Sequence, residues 1–180
     1  YTIFIDGISK AFAATGVRVG WAFGPVAVLA KMKAFLSHIG AWAPMAEQKA
    51  TAKFLTEKKL IEEYFSTFKA ALELRLNKIY DGLIALKNEG YNIDAIAPQA
   101  AIYLTVKFDL AGKKANSSIL KTQEDVTEYL LSKAHLAVVP FYAFGADKHS
   151  PWYRLSVGTC KINEIPLFLQ QLKEALEDLQ

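Results

Sequence analysis

Gly7-Ile8-Ser9-Lys10-Ala11-Phe12-Ala13-Ala14-Thr15-Gly16-Val17-Arg18-Val19-Gly20 decides how this chain is read. A lysine stands behind small residues, and an arginine follows eight positions later between glycines. An amine can form an imine with an aldehyde, and a planar guanidinium can fork onto a phosphate. Glycines on both sides of Arg18 let the backbone come close to an anion or a neighbouring strand.

Arginine is scarce, which sharpens the reading. The chain has only Arg18, Arg75 and Arg154 among its 21 basic residues. Arg75 lies in an amphipathic run beside Glu73 and Lys78, which predicts a solvated helix face. Arg18 and Arg154 lie in apolar segments, Val17-Arg18-Val19 and Trp152-Tyr153-Arg154-Leu155, where a guanidinium calls for an anionic partner.

Working outward, 180 residues at 52% hydrophobic describe a globular chain of one domain or two small ones. The net charge of +3 comes from lysines spread along the helical stretches. A nucleic-acid footprint would cluster them with aromatics between. No apolar run approaches the roughly 18 residues of a membrane span. A single cysteine, Cys160, rules out an internal disulfide and fits a reducing compartment, so the cytoplasm is expected. The opening Tyr1-Thr2-Ile3-Phe4-Ile5 begins inside a strand-like run, which predicts that further chain precedes it.

The periodicity predicts short buried strands over 2–5 and 17–23, flanking a loop that carries Lys10. Pro25 opens a helix ending before Gly40, and Pro44 opens another to about Leu55. From Lys58 to about Lys87, apolar residues recur at three- and four-residue steps. This is one long helix, closed by Asn88-Glu89-Gly90, with a domain boundary inside it. Strands follow over Tyr91–Ile96 and Ala101–Phe108, the second alternating Ile102, Leu104, Val106 and Phe108 on one face. A polar loop spans Gly112–Ser118. Thr122, with Asp125 three residues on, caps a helix to about Ala134. Strands at Leu136–Val139 and Trp152–Val157 precede a last helix capped by Asn163. The histidines His38, His135 and His149 fall at two helix ends and a loop, with no metal-ligand spacing. Phe35, Trp42, Tyr64, Phe65 and Phe68 are expected in the core, with Trp42 the exception to watch. Phe141, Tyr142 and Phe144 are candidates for a substrate entrance or, equally, for core packing.

These residues together resemble the class-I aminotransferases of the fold-type-I, aspartate-aminotransferase-like family. Gly7, Ser9, Lys10, Arg18 and Gly20 meet a small-x-small-Lys…Arg-x-Gly cofactor motif. Pro98-Gln99-Ala100-Ala101-Ile102-Tyr103-Leu104 resembles the small domain's Pro-x-Gly-Ala-Phe-Tyr strand, with Gln99 taken as the departure from glycine. Val138-Val139-Pro140-Phe141-Tyr142-Ala143-Phe144-Gly145 resembles a Val-x-Pro-Gly-x-x-Phe-Gly loop, with Phe141 in place of glycine. Tyr153-Arg154-Leu155-Ser156 is similar to the family's Arg-Leu-Ser strand.

The resemblance covers nearly the whole chain but only the C-terminal half of a typical member. It implies an α/β architecture: the C-terminal part of the pyridoxal-phosphate-binding large domain over 1–56, a long interdomain helix over 57–90, and a small α+β domain over 91–180. It implies pyridoxal 5'-phosphate as cofactor, with Lys10 as the imine-forming and catalytic lysine, and Arg18 and Ser9 on the phosphate. Many relatives carry a serine at Gly7, so one phosphate hydrogen bond is lacking here. Arg154 is implied as the holder of the substrate α-carboxylate. The implied reaction moves an amino group between an aspartate-like or aromatic amino acid and a 2-oxo acid in a cytoplasmic homodimer. A β-lyase or synthase of the same fold, a ligand-binding regulator domain and an inactive fragment are the alternatives. No metal, nucleic-acid or membrane partner is implied.

Overall fold

The computed structural model describes residues 2–115 and 118–180. The chain divides into two compact units, Tyr1–Ser66 and Thr67–Gln180. One helix, α4 (Lys58–Asn88), contributes to both.

The first unit is built around a two-stranded antiparallel ribbon. β1 (Phe4–Gly7) pairs with β2 (Gly20–Phe23), with Asp6 opposite Trp21 and Gly7 opposite Gly20. The intervening residues 8–19 therefore leave and return at one point. They form a one-turn helix α1 (Ile8–Ala11) and a 3-10 turn (Thr15–Val17). Ile8 and Val19 are buried at the neck of this excursion, joined by Ile8 N–H donating to the Val19 carbonyl at 3.4 Å. Phe12 anchors its far side, packing on Phe54, Tyr64 and Phe65 with ring centroids 4.9–5.9 Å apart. Helices α2 (Val26–Ile39) and α3 (Met45–Phe54) follow. Pro25 and Pro44 stand at their N-caps, and Gly40 closes α2 at φ 67°.

The second unit has a four-stranded antiparallel sheet in the order β3-β4-β8-β7, formed by Ile93–Ala95, Tyr103–Phe108, Trp152–Ser156 and Val139–Pro140. Alternation sorts its faces. Leu104, Val106 and Phe108 of β4 and Tyr153 and Leu155 of β8 point into a core. There they join Leu76, Ile79, Leu83 and Leu86 of α4, Val126 and Leu130 of α5 (Gln123–Ala134), and Ile165, Leu172 and Leu176 of α6 (Ile165–Glu177). Fully burying each such side chain stabilises by about 1.5–3 kcal/mol. Gly82 lets α6 approach α4: a Cβ there would lie 2.2 Å from the Leu169 Cδ1. The Tyr129 hydroxyl ties α5 to α6 by donating to the Ala175 carbonyl at 2.6 Å. A small hairpin, β5 (Lys114–Ala115) and β6 (Ser118–Ile119), completes the unit.

Several expectations change. Lys10 lies within α1 rather than in a loop, and the strand expected over 17–23 starts only at Gly20. Neither ribbon strand is buried: Ile5 is 71% and Phe23 62% exposed, because no described element covers the ribbon's faces. Phe35 and Trp42 are likewise exposed rather than in the core. The polar loop at Gly112–Ser118 contains the β5–β6 pairing, with Asn116 and Ser117 outside the described residues. The strand expected over Leu136–Val139 shrinks to β7, and Glu164, not Asn163, is the N-cap of α6. Arg75 is not a free surface charge. Its Nη1 donates to the carbonyls of Gly158 and Cys160 at 3.4 and 3.3 Å, fixing the chain just beyond β8. Counted from Pro98, the motif's glycine falls on Ala100, not on Gln99, and the next residue, Ala101, takes φ 65°.

Candidate active site

In the first unit the ribbon gathers the residues that the opening motif singled out. Ser9, Lys10 and Arg18 line one cleft of about 570 Å³ with Asp6, Gly7, Ala11, Val19 and Gly20. Pairing of β1 with β2 is the cause: Lys10 follows one strand and Arg18 precedes the other, so eight residues of sequence become one rim. The two glycines make the pairing close. A Cβ on Gly7 would meet the Val19 carbonyl oxygen at 3.0 Å, and one on Gly20 would meet that of Asp6 at 3.0 Å.

Arg18 is held in an unusual backbone. Its φ of 59° and ψ of 39° place it in the left-handed region, which costs a residue with a Cβ roughly 1–2 kcal/mol. Its Nη1 donates to the Thr15 carbonyl at 3.0 Å, which leaves the rest of the guanidinium fork exposed. Strain of this kind clusters where a side chain must be aimed. Lys10 is exposed and Ser9 half-buried. Ser9 sits inside α1, where Gly7 is the N-cap, so its hydroxyl is not used to start the helix. The cleft also holds one carboxylate: Asp6 Oδ1 accepts from Gly7 N–H at 2.7 Å. An amine, a hydroxyl and a strained, outward-facing guanidinium form a donor set suited to an aldehyde bearing a phosphate.

In the second unit Arg154 lies on β8 between Thr105 of β4 and Val139 of β7. Its neighbours Tyr153 and Leu155 point into the core, so Arg154 projects from the open face of the sheet. Tyr103, Thr105, Phe141, Phe144 and Ala146 line a hollow of about 320 Å³ with it. The guanidinium carbon sits 4.5 Å from the Tyr103 ring centroid and 4.6 Å from that of Phe144. Both distances are within cation–π range. Its Nε is buried without a hydrogen-bond partner, and no carboxylate lies within 4.0 Å of it among the described residues. An arginine packed on rings and left without an anion is a ready receptor for a carboxylate.

Phe144 and Phe141, singled out by sequence, are beside Arg154. Tyr103 and Thr105 were not singled out. Their signal was the alternation of β4: with Leu104 and Val106 inward, Tyr103 and Thr105 share the face that Arg154 occupies. Asp6 was missed as well, and only strand pairing brings it to Lys10. Among the described residues no cluster suits a metal ion, and no helix is long and apolar enough to cross a membrane. Burial, its largest influence, pushes the Cys160 thiol up from its ordinary pKa, in keeping with an unreactive side chain.

The matches to known proteins span both units. An aspartate aminotransferase of Rhizobium meliloti strain 1021 is 32% identical over 184 residues, covering 98% of this chain and 39% of its own length. A crystal structure of a Rhizobium meliloti aspartate aminotransferase superimposes with a TM-score of 0.79 at 30% identity, over 99% of this chain and 42% of that one. An aromatic aminotransferase from Pyrococcus horikoshii has the same fold, with a TM-score of 0.82 at 22% identity over 98% of this chain and 43% of its own. The chain thus spans about two fifths of the length of the curated relatives it matches. Its mixed helix-and-sheet architecture is that of part of a fold-type-I aminotransferase. The family model for aminotransferase class I and II matches residues 1–172. With Lys10, Arg18 and Arg154 standing in the two hollows just described, the chain belongs to the class I and II aminotransferases.

Proposed function

We propose that this chain supplies the lysine, the phosphate-binding arginine and the carboxylate-binding arginine of a pyridoxal-phosphate-dependent aminotransferase. The reaction exchanges an amino group between an aspartate-like or aromatic amino acid and a 2-oxo acid. The observation that carries this is the joint lining of one cleft by Ser9, Lys10 and Arg18.

Pyridoxal phosphate, when bound, supplies the electron sink that makes the substrate α-proton removable. The rest falls to the chain's own residues. Arg18 forks onto the phosphate, and its left-handed backbone keeps the guanidinium turned to the cleft. The Ser9 hydroxyl donates beside it. The Lys10 amine would hold the cofactor at its aldehyde carbon. The same amine would serve as base and then acid for the proton of the substrate α-carbon. Arg154 would grip the substrate's α-carboxylate.

By the same reading, residues 1–56 belong to the cofactor-binding large domain, 57–90 to the connecting helix and 91–180 to the small domain. The whole protein is a cytoplasmic homodimer. Exposed Phe35, Ile39, Trp42 and Met45 support that assembly as an apolar surface wanting cover.

The test is to incubate the chain with pyridoxal phosphate, reduce with borohydride and map the modified peptide. The proposal expects the adduct on Lys10, loss of the visible absorbance band in Lys10→Ala, and weaker retention in Arg18→Ala. Labelling spread evenly over the surface lysines would sink it.

A further inference from the structure

Arg154 meets an aromatic ring from each side of its strand. In the sheet order β3-β4-β8-β7, β8 lies between β4 and β7. Thr105 stands opposite Arg154 in the β4–β8 ladder, and Tyr103, two residues away, shares that face of the sheet. A large side chain at such a diagonal position is within reach, and the Tyr103 ring centroid lies 4.5 Å from the guanidinium carbon. On the other side β7 runs straight into the 3-10 turn Phe141–Phe144, and the Phe144 ring centroid lies 4.6 Å from the same carbon.

Phe144 is 57% exposed, so burial alone does little to keep its ring there. The turn itself supplies the constraint. Gly145 N–H donates to the Tyr142 carbonyl at 3.0 Å, and Ala146 N–H donates to that of Phe141 at 3.2 Å. Gly145 takes φ 91°, a left-handed backbone that favours glycine. The Phe141 ring packs edge-on against Phe144, with centroids 6.4 Å apart and planes at 85°. Arg154 Nε is buried and makes no hydrogen bond, so the rings are contacts that can set the direction of the guanidinium.

We propose that Tyr103 and Phe144 are positioning residues, an aromatic clamp that holds Arg154 ready for a carboxylate through the faces of the rings rather than through apolar bulk. A ring face attracts the cation and leaves its N–H edge free for the two oxygens of a carboxylate. This rests on the reading of Arg154 as the carboxylate holder.

Only three arginines make the test direct. The chain is labelled with 15N-arginine, and the Arg154 Nε–H signal is identified as the one lost in Arg154→Lys. Its heteronuclear Overhauser effect reports how firmly the guanidinium is held. Titration with propionate at constant ionic strength, followed on the same signal, reports carboxylate binding. Tyr103→Leu and Phe144→Leu keep apolar bulk and lose the ring. Each is expected to lower the Overhauser effect and to weaken propionate binding about three-fold, the scale of one cation–π contact at a partly exposed site. Tyr103→Phe and Phe144→Tyr keep the ring and are expected to retain both. The backbone amide spectrum of α6 is expected to be unchanged throughout, and Phe144, at the surface, gives a variant whose folding does not depend on its ring. An Arg154 held as firmly in both leucine variants as in the unaltered chain overturns the clamp, as does equal loosening by the ring-keeping variants. Loosening that leaves propionate affinity unchanged overturns it too. Leucine variants that loosen Arg154 while propionate shifts nothing in the unaltered chain uphold the clamp and overturn the carboxylate reading instead.

Discussion

The two units of this chain spend their apolar residues in opposite ways. Thr67–Gln180 closes a core in which Leu104, Val106, Phe108, Val126, Leu130, Tyr153 and Leu172 are all but inaccessible. Tyr1–Ser66 buries only Ile8, Val19 and Thr51 among its described residues, and displays Phe4, Ile5, Phe23, Val26 and Phe35. Yet it is the open unit that brings Lys10 and Arg18 to one cleft. The difference teaches that the meeting of Lys10 and Arg18 is set by local geometry, the closure of β1 on β2, whereas the buried core lies in the sheet and helices beyond Ser66.

The sharpest way to break this comparison is to remove Lys10. Lys10→Ala is expected to abolish the borohydride-trapped cofactor adduct while leaving the unfolding transition where it was. A large fall in the melting temperature would tie the two roles together. Phe108→Ala is expected to cost about 3–5 kcal/mol in denaturant unfolding, the range for an aromatic lost from a packed core. Ile5→Ala, a change of similar kind on the exposed ribbon, is expected to stay within about 0.5 kcal/mol. Equal costs at the two positions would refute the contrast. Thr122→Ala removes the oxygen that caps α5 and is expected to cost about 1 kcal/mol.

The smallest effect is a pH dependence confined to the second unit. Backbone N–H groups of Lys121 and Thr122 hold the Asp125 carboxyl below its ordinary pKa, and the Lys87 side chain does the same for Asp94. A carboxylate depressed in the folded state contributes its full stability above the unfolded value, near ~4. That contribution is lost as pH falls through the folded value. Unfolding midpoints are therefore expected to be flat down to about pH 4–5 and to decline below it. Asp125→Asn is expected to flatten the decline, and an unchanged slope in that variant would remove Asp125 from the account.

Much of the fold was legible because its signals are short-range. The three- and four-residue steps from Leu60 to Ile84 gave α4 nearly to the residue, and Thr122 with Asp125 marked the start of α5 through a capping box that the structure contains. The alternation of β4 gave its inward face. What failed was burial. Phe35 and Trp42 are as hydrophobic as Phe108, and composition does not say which of them finds a partner. Charged helix neighbours predict a solvated Arg75, but while its Nε stays with Ala71 its Nη1 reaches carbonyls more than eighty residues away. The reach of a guanidinium across a fold has no local signature.

By itself, the order of residues determined which groups the proposed chemistry draws on: Lys10 and Arg18 at a spacing that one ribbon closes, and Arg154 on a strand with an outward parity. Those follow from backbone periodicity, which a few neighbouring residues dictate. Only the tertiary structure decided what surrounds them. Strand pairing set Asp6 and the glycines around the Lys10 cleft. Register between β4 and β8 brought Tyr103 to Arg154, and the turn after β7 laid Phe144 against the same guanidinium. Contacts between residues far apart in sequence depend on which surfaces pack and which stay open, and that is settled by the competition of the whole chain for burial.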